Sequence, residues 1–193
     1  MTRNLMLGMA VLAALSLTTS AATLSGKVTG ATGASVVYVE AIAGKTFPPP
    51  AEPPVMAQKH LMFQPRILPV QLGSSVEFLN SDSVAHNVFW PSVGGNKKLA
   101  HNLGTWPQNE KRVFKFDTPG AVPLLCNVHP EMTGYIVVVP TPYFALTSDS
   151  GEYRIENIPD GSYNLTAWHE GSKNQSKHVD VNGDVKADFT LGR

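Results

Sequence analysis

The apolar residues of this chain come in short runs rich in Val, Ile, Phe, Tyr and Thr, cut at close intervals by Gly, Pro, Asn and Asp. Few stretches keep the 3.6-residue spacing with which a helix buries one face, whereas short β-prone runs recur throughout. Such runs form strands, so the expected fold class is all-β. Candidate strands are "GKVTG", "SVVYVEAI", "ILPVQ", "SVEFLN", "HNVFW", "KRVFKF", "YIVVV", "EYRIENI", "SYNLTAW" and "KADFTL". The segments "LGSS", "DTPG", "SDSGEY" and "IPDGSY" supply turn chemistry between them.

The segment "TFPPPAEPP", Thr46 to Pro54, breaks the pattern. Proline donates no ladder hydrogen bond and fixes its own φ, so residues 46–54 are expected as an extended connector. Behind it, residues 55–140 read as one compact block. The tail, residues 141–193, is thin for a β core of its own. "LSGKVTGATGASVVYVEAI", Leu24 to Ile42, and the later "FALTSDSGEYRIENIPDGSYNLTAWHEG" carry Asp149, Gly151 and Tyr153, then Pro159, Gly161 and Tyr163. Together they resemble the carboxypeptidase regulatory-like, prealbumin-type sandwich. The resemblance implies a second small β-sandwich made of residues 23–45 and 141–193, with the central block inserted into it. The rival arrangement is two sequential domains, residues 23–45 adding strands to the central one.

The chain opens with Arg3, an apolar run from Leu5 to Leu17, and small residues at Ser20, Ala21 and Ala22. This is the layout of a secretory signal peptide over residues 1–22, and the run is short for a bilayer span. An uncleaved anchor is the other reading. No later stretch is apolar enough to cross a membrane, and the expected location is periplasmic or secreted. Fifteen basic and fifteen acidic residues give a formal net charge of +0, which offers no basic footprint for nucleic acid. Export bears on Cys126, the one cysteine of the chain. In an oxidising compartment its thiol is open to disulfide formation and over-oxidation. It is a buried inert thiol, half of an intermolecular disulfide, or a thiolate held by a metal.

The neighbours of Cys126 favour the metal. In "LLCNVHPEMTGYIVVV", His129 and Met132 follow it within one short loop, and His86 in "NSDSVAHNVFW" is the best candidate for a second imidazole. Two imidazoles, a thiolate and a thioether suit copper, since soft sulfur favours the reduced ion and nitrogen suits both states. Residues 55–140 resemble a cupredoxin, and among cupredoxins the amicyanins. They share the short Cys-x-x-His-Pro-x-Met loop, here Cys126, His129, Pro130 and Met132. The lead "FQPRILPVQLGSSVEFLNSDSVAHNV" resembles the family's approach to its first histidine. The resemblance implies a Greek-key sandwich with one type 1 copper ion near one end, held by His86, Cys126, His129 and Met132.

It also implies roles for the surrounding residues. Asn87 is expected to bring its backbone N–H to the Cys126 sulfur and to tie the two ligand-bearing loops together with its side chain, with Asn127 beside it. Val128 stands where amicyanins have proline, so this chain retains an N–H that can donate to the thiolate and raise the reduction potential. His129 is expected to reach the surface among Pro91, Pro123 and Pro130, which would form a docking face for a redox protein, a dehydrogenase or a cytochrome. His60, His101, His169 and His178 lack a matching pattern and read as ordinary polar or surface histidines. Met56 and Met62 read as packing beneath the sandwich. Asp82 and Glu131 read as loop charges without the partner that acid–base catalysis needs. The expected function is electron transfer without catalysis. A copper carrier or buffer, and a binding or adhesion module with ancillary copper, are the alternatives.

Overall fold

The computed structural model describes residues 21–192, so the leader expected over residues 1–22 lies outside them except for Ala21 and Ala22. Seventeen strands and one 3-10 turn, Lys97–Leu99, make up the regular structure of these residues. They run β1 (Ala22–Thr29), β2 (Val36–Val39), β3 (Val55–Lys59), β4 (Met62–Gln64), β5 (Ile67–Gln71), β6 (Ser75–Asn80), β7 (His86–Trp90), β8 (His101–Trp106) and β9 (Lys111–Lys115). Then follow β10 (Gly120–Leu125), β11 (Thr133–Val139), β12 (Phe144–Leu146), β13 (Glu152–Ile158), β14 (Gly161–Trp168), β15 (Gln175–Val181), β16 (Val185–Lys186) and β17 (Phe189–Thr190). Residues 46–54 form no strand.

Strands β3 to β11 make a Greek-key sandwich of two sheets, ordered β4-β3-β6-β9 and β5-β11-β10-β7-β8. β6 shows how sequence sets the layer: Val76, Phe78 and Asn80 alternate inward while Ser75, Glu77 and Leu79 face out. Phe63, Phe78, Trp90, Trp106, Val122, Leu124 and Ile136 fill the space between the sheets. The remaining strands build a smaller sandwich. One sheet centres on β1, with β13 and β16 at its sides and β17 also pairing with it; the other is ordered β12-β2-β14-β15. Its interior holds Leu24, Val37, Val39, Ile155, Ile158, Leu165 and Phe189.

The two sandwiches share a seam, and β11 explains it. "YIVVV" is apolar on both faces, so a strand of that sequence needs cover on both sides. Ile136 and Val138 enter the larger core, while Val137 and Val139 face outward against Val36, Ile67 and Trp168. Burying each of those valines is worth about 1.5–3 kcal/mol. Tyr135 packs on Trp168 with ring centroids 5.3 Å apart. The Arg66 guanidinium meets the Glu170 carboxylate with two parallel hydrogen bonds, the Nη2–Oε2 contact being 2.7 Å. The proline-rich segment is tied down by Gln71, whose Nε2 donates to the carbonyls of Phe47 (2.9 Å) and Pro48 (3.0 Å).

Candidate metal centre

Two segments converge at one end of the larger sandwich. The first is the connection from β6 to β7. Asn80, fully buried, donates through Nδ2 to the carbonyls of Val84 (2.8 Å) and Trp106 (3.0 Å), and its Oδ1 accepts the Asp82 N–H at 2.9 Å. This folds the loop back so that the Asp82 carboxylate lies 2.8 Å from Nε2 of His86. His86 is 0% exposed and begins β7 opposite Trp106. The second segment is the loop from β10 to β11, which carries Cys126 (buried), His129 (half-buried) and Met132 (buried). The Met132 N–H donates to the His129 carbonyl at 3.0 Å, closing the loop into a turn. Two residues on, a Cβ at Gly134 would stand 2.9 Å from the Phe63 Cβ and 3.0 Å from the Arg66 carbonyl oxygen, so β11 lies this close to the neighbouring strands because the position is glycine.

His86, Cys126 and His129 each present a ligand atom, and these atoms lie within 4.8 Å of one another. Nδ1 of His129 is 3.1 Å from Nδ1 of His86 and 3.9 Å from the Cys126 sulfur. Nε2 of His86 faces the Asp82 carboxylate and Nδ1 faces the other ring; an imidazole that donates through Nε2 keeps the lone pair of Nδ1. Two imidazole nitrogens and a thiol converging in a buried site fit a soft cation. Met132 lies in the same buried cluster as Cys126.

The neighbouring residues divide. Asn87 spans the site: Nδ2 donates to Asn102 Oδ1 (2.9 Å) and the Gly104 carbonyl (2.8 Å), and Oδ1 faces the Asn127 N–H at 3.4 Å. Val128 stands exposed on the ligand loop and Pro130 is exposed beside His129. The other two prolines lie elsewhere. Pro91 is five residues along from His86, about 16 Å at the rise of a strand. Pro123 pairs with Tyr135 and lines the cleft between the sandwiches with Trp168 and Glu170. Apolar side chains exposed close to the ligands are instead Leu61, Val84 and Val128.

Two expectations need correction. Asp82 is not an unpartnered loop charge: besides His86 it accepts the N–H groups of His60 (2.6 Å) and Leu61 (2.9 Å). Partial burial pushes its carboxyl up, but the bonds from Leu61, His86 and His60 outweigh this and hold it below the usual carboxylate range. The spacing Asp82 to His86 carries no signal in a loop, because the contact depends on Asn80 folding the chain back. Met62 is 52% exposed, since Phe63 takes the inward position and alternation turns its neighbour out. His169 is buried, with Nε2 3.1 Å from the Thr32 carbonyl oxygen, whereas His60, His101 and His178 are exposed. The β3–β4 hairpin turns on His60 (φ 56°) and Leu61 (φ 58°), both left-handed, a conformation that costs a non-glycine residue about 1–2 kcal/mol.

Residues 54–139 match the family described as copper binding proteins, plastocyanin/azurin family. Residues 141–188 match the family described as polysaccharide lyase family 4, domain II. Amicyanin-alpha of Methylorubrum extorquens is 30% identical over 125 residues, which cover 65% of this chain and 98% of that protein. Among solved structures, a purple cupredoxin from Nitrosopumilus maritimus aligns with 44% of this chain and 98% of its own at 22% identity and a TM-score of 0.39. A copper-containing nitrite reductase from Thermus scotoductus aligns with 53% of this chain and 25% of its own at 24% identity and a TM-score of 0.43. With a relative of this identity covered almost end to end, and with a His–Cys–His group gathered at one end of a β-sandwich, the chain belongs to the cupredoxins, the plastocyanin/azurin family of copper-binding proteins of electron-transfer type.

Proposed function

We propose that the protein is an exported type 1 copper protein that carries single electrons between redox protein partners and catalyses no reaction of its own. In this reading residues 55–140 are the redox unit, with His86, Cys126, His129 and Met132 as ligands. Residues 23–45 and 141–193 form one discontinuous sandwich joined to it by the connector of residues 46–54. The observation that carries the reading is the approach of the two Nδ1 atoms to 3.1 Å beside a buried thiol.

Bound copper supplies a one-electron couple between its two oxidation states. The protein supplies the rest. His86 and Cys126 are buried, which keeps water from two of the three convergent ligand atoms. Hydrogen bonds from Asn80, Asp82 and Asn87, and the turn closed by Met132, hold the ligand segments in one arrangement, so little rearrangement accompanies a change of charge. His129 is the half-buried ligand and offers its ring edge as the point of exchange. One electron arrives from a reduced partner and one leaves to an oxidised partner, with no atom transferred. Exposed Val128 and Pro130, on the same loop as His129, supply an apolar docking surface beside that point, of the kind that suits short-lived encounters.

Optical and EPR spectroscopy of the copper-loaded protein, with Cys126→Ser as control, tests the reading. We expect an intense visible thiolate-to-copper band in the native protein and its loss in the variant. A colourless native protein overturns it. Rapid electron self-exchange combined with slow copper release to a chelator separates the carrier of electrons from a carrier of copper.

A further inference from the structure

Asp82 joins two parts of the protein that are far apart in sequence. Its Oδ1 accepts the His60 N–H at 2.6 Å, and its Oδ2 accepts the Leu61 N–H at 2.9 Å and lies 2.8 Å from Nε2 of His86. The His60–Leu61 turn is left-handed at both central residues, a geometry for which Asn-Gly is the favoured pair. A His-Leu pair does not hold that turn by its own preference. What holds it is the carboxylate, which accepts both backbone N–H groups presented there. Asp82 is fixed in return by its own N–H on Asn80 Oδ1, at 2.9 Å. The side chains of His86 and Asp82 are 0% and 13% exposed, so solvent screens this pair little.

We propose that Asp82 is a positioning residue of the copper centre. It fixes the proton of His86 on Nε2, aims Nδ1 at the metal position, and places a full negative charge one imidazole away, which favours the oxidised state. The β3–β4 turn is the frame that keeps the carboxylate in place. A ligating histidine whose second nitrogen donates to a carboxylate is held in one tautomer and made a stronger donor. This inference rests on reading His86 as a copper ligand.

Asp82→Asn keeps the size and one acceptor but removes the charge. We expect the copper-loaded variant to remain blue, with the ratio of reduced to oxidised protein at a fixed poise raised about tenfold, equivalent to about 59 mV for one electron. Asp82→Ala also frees the ring, and we expect copper affinity to fall about 10–100-fold with a changed copper hyperfine splitting. The variant His60→Asn, which keeps both N–H donors and the charge of Asp82, leaves the potential where it is, and a shift as large as that of Asp82→Asn overturns the assignment to the carboxylate. A folded, blue Asp82→Asn protein with an unmoved potential overturns the proposal. Should that variant fail to fold, nitrogen-15 NMR of the native protein in its diamagnetic reduced form decides: a slowly exchanging proton on Nε2 of His86 is expected, and an unprotonated Nε2 overturns it. A native protein that never turns blue defeats the reading of the site instead, and so the two failures are told apart.

Discussion

The smaller sandwich closes its interior with aliphatic side chains, Phe189 and two tyrosines whose hydroxyls end on backbone carbonyls, Tyr153 on Ala187 and Tyr163 on Pro159. Burial, with Asp188 adding to it, pushes the Tyr153 phenol far above its ordinary range, so it stays a donor. One end of the larger sandwich is as well buried but differently filled. There His86, Asn80, Asn87 and Cys126 occupy interior positions, and two ring nitrogens and a sulfur face one another. Both interiors bury polar groups, and the first pairs its tyrosine hydroxyls within the protein. The second leaves a donor set that a cation completes, so the metal chemistry lies in the larger sandwich.

Leu165→Ala is the strongest way to challenge that division. Leu165 is 0% exposed in the smaller core, and its truncation should cost about 2–5 kcal/mol in chemical denaturation. The visible spectrum of the copper-loaded variant under native conditions should not change. Loss of the blue band in a folded Leu165→Ala protein would show that the two interiors are not separable.

What was legible in the sequence follows the same division. The strands "HNVFW", "YIVVV" and "SYNLTAW" are readable because both or alternate faces are apolar and the observed β7, β11 and β14 cover them. β15, "QSKHVDV", gives little signal in the sequence because as an edge strand it buries only Val179 and Val181. β8, "HNLGTW", hides behind Gly104 at φ 83° and three polar residues, His101, Asn102 and Thr105. The β3–β4 hairpin carries no Asn-Gly signature, since its turn is held by a side chain from elsewhere. At the site, Cys126 and His129 announce themselves by sharing a loop, while His86 needs the fold to bring it across 40 residues. Asp82 was invisible for the same reason: its partners are set by the path of the loop and not by spacing.

The seam offers a milder test of how independent the sandwiches are. Arg66 is half exposed and Glu170 partly so, and their ion pair should be worth about 1 kcal/mol or less. Glu170→Gln should lower stability by that amount at neutral pH. The hydrogen bond from Arg66 holds the Glu170 carboxyl below its ordinary range, against burial, which pushes it up. A depressed value in the folded protein means the contribution is complete above the unfolded carboxyl's range and is lost as pH falls through the folded value. The difference between native and variant should therefore shrink as pH falls below about 4. A difference that is flat with pH would assign the seam to Tyr135, Trp168 and their aliphatic neighbours alone.

Val128→Pro probes the chemical sandwich without touching its interior. Val128 is 49% exposed on the ligand loop, so a proline ring there displaces no packed neighbour, and stability should change by less than about 0.5 kcal/mol. Proline also favours an extended conformation at Asn127 but leaves the Asn127 N–H free to face Asn87. What it removes is the Val128 N–H, two residues past Cys126, a donor that we propose turns toward the thiolate when copper is bound. Such a donor offsets charge on the thiolate and so favours the reduced state. We expect the variant to have a lower reduction potential, by less than the tenfold change in ratio, about 59 mV, assigned to Asp82. An unchanged or raised potential would mean that the thiolate takes nothing from this N–H, and that the tuning of the centre runs through His86 and Asp82.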